Sequence, residues 1–235
     1  MKKIIFALTM ILTIGMQAQT KSELVKHYEA YYAKMKLQGD VRGLINALTH
    51  LDVLNPSQAT KDTLAYFYAN GGQYVQALNT IGVDKNDSDS DLAVEIKAVS
   101  LKSINQPKRA LEQYEVLFKR NPNSYIAYEL SDLKIQTNDI IGAAQNIEYG
   151  LANAKDDMKY AFYETQNPYE VPIKAAFLHL KALIEFNKDN KNVQNMDTAI
   201  AIIDQALEIA PNFNLANLSK QALVKLKEEA GKPKE

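Results

Sequence analysis

With 235 residues and 46% hydrophobic content, the chain is long enough for one large domain or a short repeat array, and apolar enough to support a core. A formal net charge of −1 provides no positive field of the kind that nucleic-acid or anionic-membrane binding needs, so nucleic acid is excluded as an expected partner. The absence of cysteine excludes disulfides, thiolate metal sites and a lipid-modified N-terminal cysteine, and His27, His50 and His179 are too scattered to suggest a metal centre.

Residues 1–18 carry two lysines and then an apolar run from Ile4 to Met16 that is short for a bilayer and turns polar directly after it. This order predicts a secretory signal cleaved after Ala18, no membrane insertion thereafter, and a periplasmic or secreted location. Residues 19–229 are then the folded domain, and 230–235 a flexible tail. From Ser22 onward, apolar residues recur at steps of three and four, with almost no strand-like alternation.

The clearest unit is Asp91–Ser124. Leu92, Val94, Ile96, Ala98 and Leu101 mark a first helix, with Ala110, Tyr114 and Leu117 along one face of a second. Asn105-Gln106-Pro107 punctuates the turn and Asn121-Pro122-Asn123 ends the second helix, since proline cannot continue it. Helices this short bury their apolar stripes only against neighbours, so the motif must repeat. Ala77, Ala110 and Ala144 mark second helices 33 and 34 residues apart, and Leu44 lies 33 before Ala77. Ala199, Ile203 and Ala206, followed by Pro211, mark a last one.

These residues resemble the tetratricopeptide repeat family, whose 34-residue unit has small residues at its eighth, twentieth and twenty-seventh places and proline at the thirty-second. Ala98, Ala110, Tyr114 and Pro122 match most of a unit, and Ala199, Ile203, Ala206 and Pro211 match a second-helix half. The resemblance implies an all-α fold: helix-turn-helix repeats stacked into a right-handed superhelix, with first helices lining a concave face that takes a protein or peptide. The expected units are 25–57, 58–90, 91–124, 125–158 and 175–213, closed by a capping helix at 213–229 with a solvated outer face. The signal, followed by Gln19-Thr20 at the mature end, resembles exported proteins of the Bacteroidetes.

Two places break the period. Residues 159–174 form a tyrosine-rich insertion containing Tyr160, Phe162, Tyr163 and Tyr169, which either contacts a partner or packs down to fill the gap in the stack. Ala182 and Ala199 lie 17 residues apart, against 12 for Ala98 and Ala110, which places five extra residues in the polar turn Asn187–Asn195. Tyr31, Tyr32, Tyr66, Phe67, Tyr68 and Tyr74 read as inter-helix packing.

In the family register, Glu29, Asp62, Glu95 and Glu129 share the fifth place of the first four units, with His179 in the last. These are the candidate partner-binding residues, read either as an acidic stripe along the groove or as ordinary solvated helix formers. The carboxylate-gripping version of the family has lysines and asparagines there, so that activity is not carried over. Asp84–Asp91 looks like a calcium loop but lacks the central glycine and the closing glutamate, and reads as a linker. No nucleotide, dinucleotide or nucleophile-elbow motif occurs, so neither catalytic residues nor a cofactor is expected. The sequence therefore predicts a non-enzymatic protein- or peptide-binding scaffold. The alternative is a carbohydrate binder using the aromatic insertion.

Overall fold

The computed structural model describes residues 2–230, with side chains from Thr20 onward. The backbone of the expected leader belongs to helix α1 from Lys2, while its side chains, and all of the tail except Ala230, lie outside the described residues. Among the described residues, no helix is long and apolar enough to cross a membrane. The chain divides into two compact units, Met1–Gln106 and Pro107–Glu235.

The first unit contains α1 (Lys2–Gln38), α2 (Val41–Leu54), α3 (Gln58–Asn70), α4 (Tyr74–Ile81) and α5 (Asp91–Ser103). Consecutive helices pack on one another, and α3 also touches α5, so first helices lie side by side. Each start has a local cause. Asp40, Ser57 and Ser90 accept the backbone N–H of Gly43, Thr60 and Ala93, satisfying one of the donors that every helix N-terminus leaves open. The small Ala65 and Ala77 are fully buried against Ile96, which lets α3, α4 and α5 approach closely.

The second unit contains α6 (Pro107–Arg120), α7 (Ser124–Gln136), α8 (Ile140–Asn153), a hairpin of β1 (Lys159–Phe162) and β2 (Tyr169–Pro172), α9 (Ile173–Lys188), α10 (Val193–Ile209) and α11 (Asn214–Ala230). β1 and β2 pair antiparallel, with Tyr160 opposite Val171 and Phe162 opposite Tyr169. The core runs through Phe177, Leu180, Ile203 and Phe213, all buried. At Gly150 of α8 a β-carbon would stand 1.9 Å from the Phe177 ring, so only glycine lets α9 lie this close.

The turn within each of the first four helix pairs contains a residue with positive φ: Gly39 (67°), Gly72 (72°), Asn105 (58°) and Asn138 (65°). Glycine and asparagine are the residues that tolerate this left-handed conformation, and here they recur every 33 positions. Five residues after each come Leu44, Ala77, Ala110 and Ala143, all buried. The in-phase residue of the fourth unit is thus Ala143 and not Ala144, which is only half-buried. The period stays at 33 through four units.

Two further expectations change. The insertion at 159–174 is not a loop but a short hairpin, because Phe162 and Val171 give each strand a buried face on the α9 side. The five extra residues do not sit in the turn. That connection is only 189–192, while α10 begins six residues before Ala199 where α6 begins three before Ala110, so most of the surplus is one more helical turn. On α11, Leu218 and Leu226 are exposed beside its lysines and glutamates. The architecture is an all-α helical repeat with this one small hairpin.

Candidate interaction surface

Of the candidate acidic residues in the first unit, Glu29 and Glu95 are exposed, on α1 and α5. Asp62 is not. It is buried on α3, where its two oxygens accept Gln58 Nε2 at 2.7 Å and Ser90 Oγ at 2.6 Å. Ser90 is itself the N-cap of α5, so Asp62 orients the cap of the following repeat rather than facing a ligand. No continuous acidic stripe through Glu29, Asp62 and Glu95 reaches the surface of this unit.

The 33-residue phase also moves the fourth position by one. Tyr128, not Glu129, follows Asp62 and Glu95 at that interval, and Tyr128 is buried. Glu129 beside it is half-buried and accepts the Tyr160 hydroxyl at 2.6 Å. Burial, together with the negative Glu129, drives the Tyr160 hydroxyl far above its ordinary range, so it serves as a fixed donor.

His179 lies in the core of the second unit, with Nε2 2.9 Å from Ser219 Oγ and its ring edge-on to Phe213. Desolvation lowers its pKa to about 4, and the ring is neutral at pH 7. A serine hydroxyl on a histidine suggests a nucleophile and its base. However, Nδ1 is buried with no acceptor to orient the ring, so the third member of such a constellation is missing.

The aromatic insertion packs inward. Phe162 is buried, stacked 5.7 Å from Tyr169 and tilted 4.8 Å from Phe213, while Tyr160 lies 4.1 Å from Tyr128. The Tyr169 hydroxyl donates to Glu164 and accepts the backbone N–H of Leu215 at 3.2 Å, which caps the first turn of α11. Burial and the Glu164 bond push this phenol up to about 12. Only Tyr163, 75% exposed, stands free in the solvent. An aromatic platform for a sugar needs open ring faces, and the hairpin offers one fully exposed ring.

The linker that resembles a calcium loop contains its own cation. Lys97, 2% exposed on α5, donates to Asp84 O at 2.8 Å and to Asp89 Oδ2 at 2.5 Å. Among the described residues, no group of three or more histidine, aspartate or glutamate side chains is placed to hold a metal ion.

The surface that sequence reasoning missed is apolar. Tyr66 was expected to pack, yet it is exposed on α3, as are Leu92 and Val99 on α5 of the same unit, all between 38% and 43%; in the second unit, by itself, Tyr125 of α7 is 45% exposed. Leu92, Glu95 and Val99 share one face of α5 at steps of three and four. The positions repeat: Tyr66 and Val99 are 33 apart, as are Leu92 and Tyr125. Their signal in the sequence was this recurrence at a place where a solvated helix would have charge.

No protein-family model matches the sequence, and no curated protein matches it. Solved structures do. A tetratricopeptide repeat protein from Parabacteroides merdae ATCC 43184 superposes with a TM-score of 0.61 at 16% identity, covering 90% of this chain and 75% of that one. YrrB, described as a TPR protein with an unusual peptide-binding site, gives 0.65 at 12% identity over 86% of this chain and 97% of its own. The APC/C hetero-tetramer Cut9-Hcn1 gives 0.51 at 13% identity, covering 88% of this chain and 40% of that one. At such identities the likeness is one of fold: this chain has the helical-repeat architecture of the tetratricopeptide repeat proteins.

Proposed function

We propose that the protein is a non-enzymatic scaffold that binds a protein or peptide through the exposed faces of its first helices, and that it acts in the cell envelope after export. One observation carries the binding reading: in the first unit the large apolar side chains Tyr66, Leu92 and Val99 stand in solvent, two of them at positions one repeat apart, instead of the charges a free helix surface favours. Glu29 and Glu95 add negative charge on the first helices and favour a neutral or basic partner segment. The peptide-binding description of YrrB agrees with this reading. Export rests on the lysine-flanked apolar run and polar break of residues 1–18.

The test compares the wild type with Tyr66→Lys/Leu92→Lys/Val99→Lys as bait in an envelope extract, each checked for native helicity by circular dichroism. Loss of the wild-type partners is expected. The same partners on both baits would remove this face from the mechanism. For export, intact-mass measurement of the protein from its own cell should give Gln19 as the first residue, and a retained Met1 would end that part of the reading.

A further inference from the structure

The hairpin of the second unit leaves an edge open. Ile173 N donates to Met158 O at 2.9 Å, so Met158 and Ile173 face each other as a hydrogen-bonded pair. Such pairs alternate along an antiparallel ladder, which puts the next cross-strand bonds at Tyr160–Val171 and Phe162–Tyr169. The N–H and C=O groups of Lys159 and Ala161 then point outward from β1. Pro172 falls at an outward position of β2, where its missing N–H costs the ladder nothing, in agreement with this phase. Among the described residues, nothing bonds the outward groups of Lys159 and Ala161.

The two edges differ. β2 carries Pro172 and passes directly into α9, both of which close an edge to further strands. β1 has no proline. Lys159 is exposed, Ala161 has no bulk to obstruct an approaching backbone, and Tyr163, directly after the strand, is 75% exposed. The edge is also held still. The inward face of the hairpin buries Phe162 and Val171, and the hydroxyls of Tyr160 and Tyr169 are tied to Glu129 of α7 and to the Leu215 N–H of α11. A backbone edge fixed in this way loses little freedom when it is paired. Its complement follows from its chemistry, because donors and acceptors alternating at the spacing of a pleated strand match another extended backbone. An anion would satisfy the N–H groups and leave the carbonyls, and a helix has no free backbone groups to offer along its length.

We propose that β1 is a strand-addition site: an extended segment of another polypeptide pairs with the outward N–H and C=O groups of Lys159 and Ala161, adds a third strand to the hairpin, and packs a side chain on Tyr163. Lys159 favours an acidic residue on that segment. The inference rests on the polypeptide-binding reading but places a further contact in the second unit, on residues other than Tyr66, Leu92 and Val99 of the first.

The experiment uses the full chain, isotope-labelled for NMR, titrated to millimolar levels with acetyl-Val-Glu-Val-Thr-Val-amide and with the same peptide methylated on every internal backbone nitrogen. Shifts are expected at the amides of Lys159, Ala161 and Tyr163 with the first peptide, and none with the second, which has lost its donors. Ala161→Pro removes an N–H that the hairpin itself does not use, so it should weaken binding about tenfold while the melting temperature stays near that of the wild type. Tyr163→Ala should weaken it about threefold. The methylated peptide and Tyr163→Ala decide the question on a native fold even where proline disturbs the hairpin. Equal binding of the two peptides overturns the proposal, as does undiminished binding to Ala161→Pro. Shifts confined to α3 and α5 refute the β1 site while leaving the polypeptide-binding reading intact. Shifts at Lys159 and Ala161 that grow with protein concentration in the absence of peptide assign the edge to a second copy of the chain and overturn the proposed occupant, and no shift anywhere overturns the site outright.

Discussion

His179 and Lys97 show what burial does to an ionisable side chain. The His179 pKa of about 4 lies below the ordinary 6.5, so between these values the unfolded chain binds a proton that the native ring refuses. Its contribution is therefore complete above pH 6.5 and declines as pH falls toward 4, by about 3 kcal/mol in all. Urea unfolding at pH 7 and pH 4.5 should show this slope, and His179→Gln should flatten it. Lys97 tests the opposite case, a buried charge that is paired. Lys97→Met leaves Asp89 buried without its cation and should cost about 3–5 kcal/mol, with Asp89→Asn restoring part of the loss in the double variant. From sequence His179 shared a register position with carboxylates, which is why it stood among the candidate partner-binding residues. Nothing in the spacing of Asp84–Asp91 indicated that a lysine on the next helix would enter the loop. Asp62 was misread for the same reason, since its partner Ser90 is 28 residues away in the chain.

At the level of elements, periodicity was the readable quantity and direction was not. The three- and four-residue steps of apolar residues, the prolines and the alanines placed the helices, because each of these acts within a turn or two of chain. The short strands at Lys159–Phe162 and Tyr169–Pro172 were hidden, because they form only where Phe162 and Val171 are covered by the core of the second unit. A single marker would have fixed the phase better than alanine did: the left-handed residue in each turn. Gly72→Ala should destabilise by about 1–2 kcal/mol because alanine resists φ of 72°, whereas Asn105→Gly should not lower stability at all. Gly150 makes the opposite demand, for space rather than torsion. Gly150→Ala should cost about 1–3 kcal/mol against the Phe177 ring even though alanine favours helix, and thermal unfolding would reveal the sign.

For the molecule as a whole, the repeat length makes an editing prediction. Removing residues 58–90, one period of 33, joins Ser57 to Asp91, so that Ser57, the cap of α3, takes over the place of Ser90 as the cap of α5. The shortened chain should keep its helicity by circular dichroism only when Lys97→Met is added, since the deletion removes Asp84 and Asp89. Cutting 30 residues instead would put the remaining helices out of phase and should unfold both versions. The all-α repeat was legible at this scale because five noisy units reinforce one another, and the exposed apolar positions were not, because a repeat shows which residues correspond and not which of them face outward.

The ammonium of Lys97 also has a consequence for the environment in which this protein works. Linkers rich in aspartate are commonly ordered by a divalent ion and slacken when the ion is withdrawn. Here the counter-charge is bonded covalently to α5, so the segment from Asp84 to Asp89 carries its own ion wherever the chain goes. Its order should persist in a chelator and gain nothing from added calcium, which makes this joint indifferent to the mineral content of its surroundings.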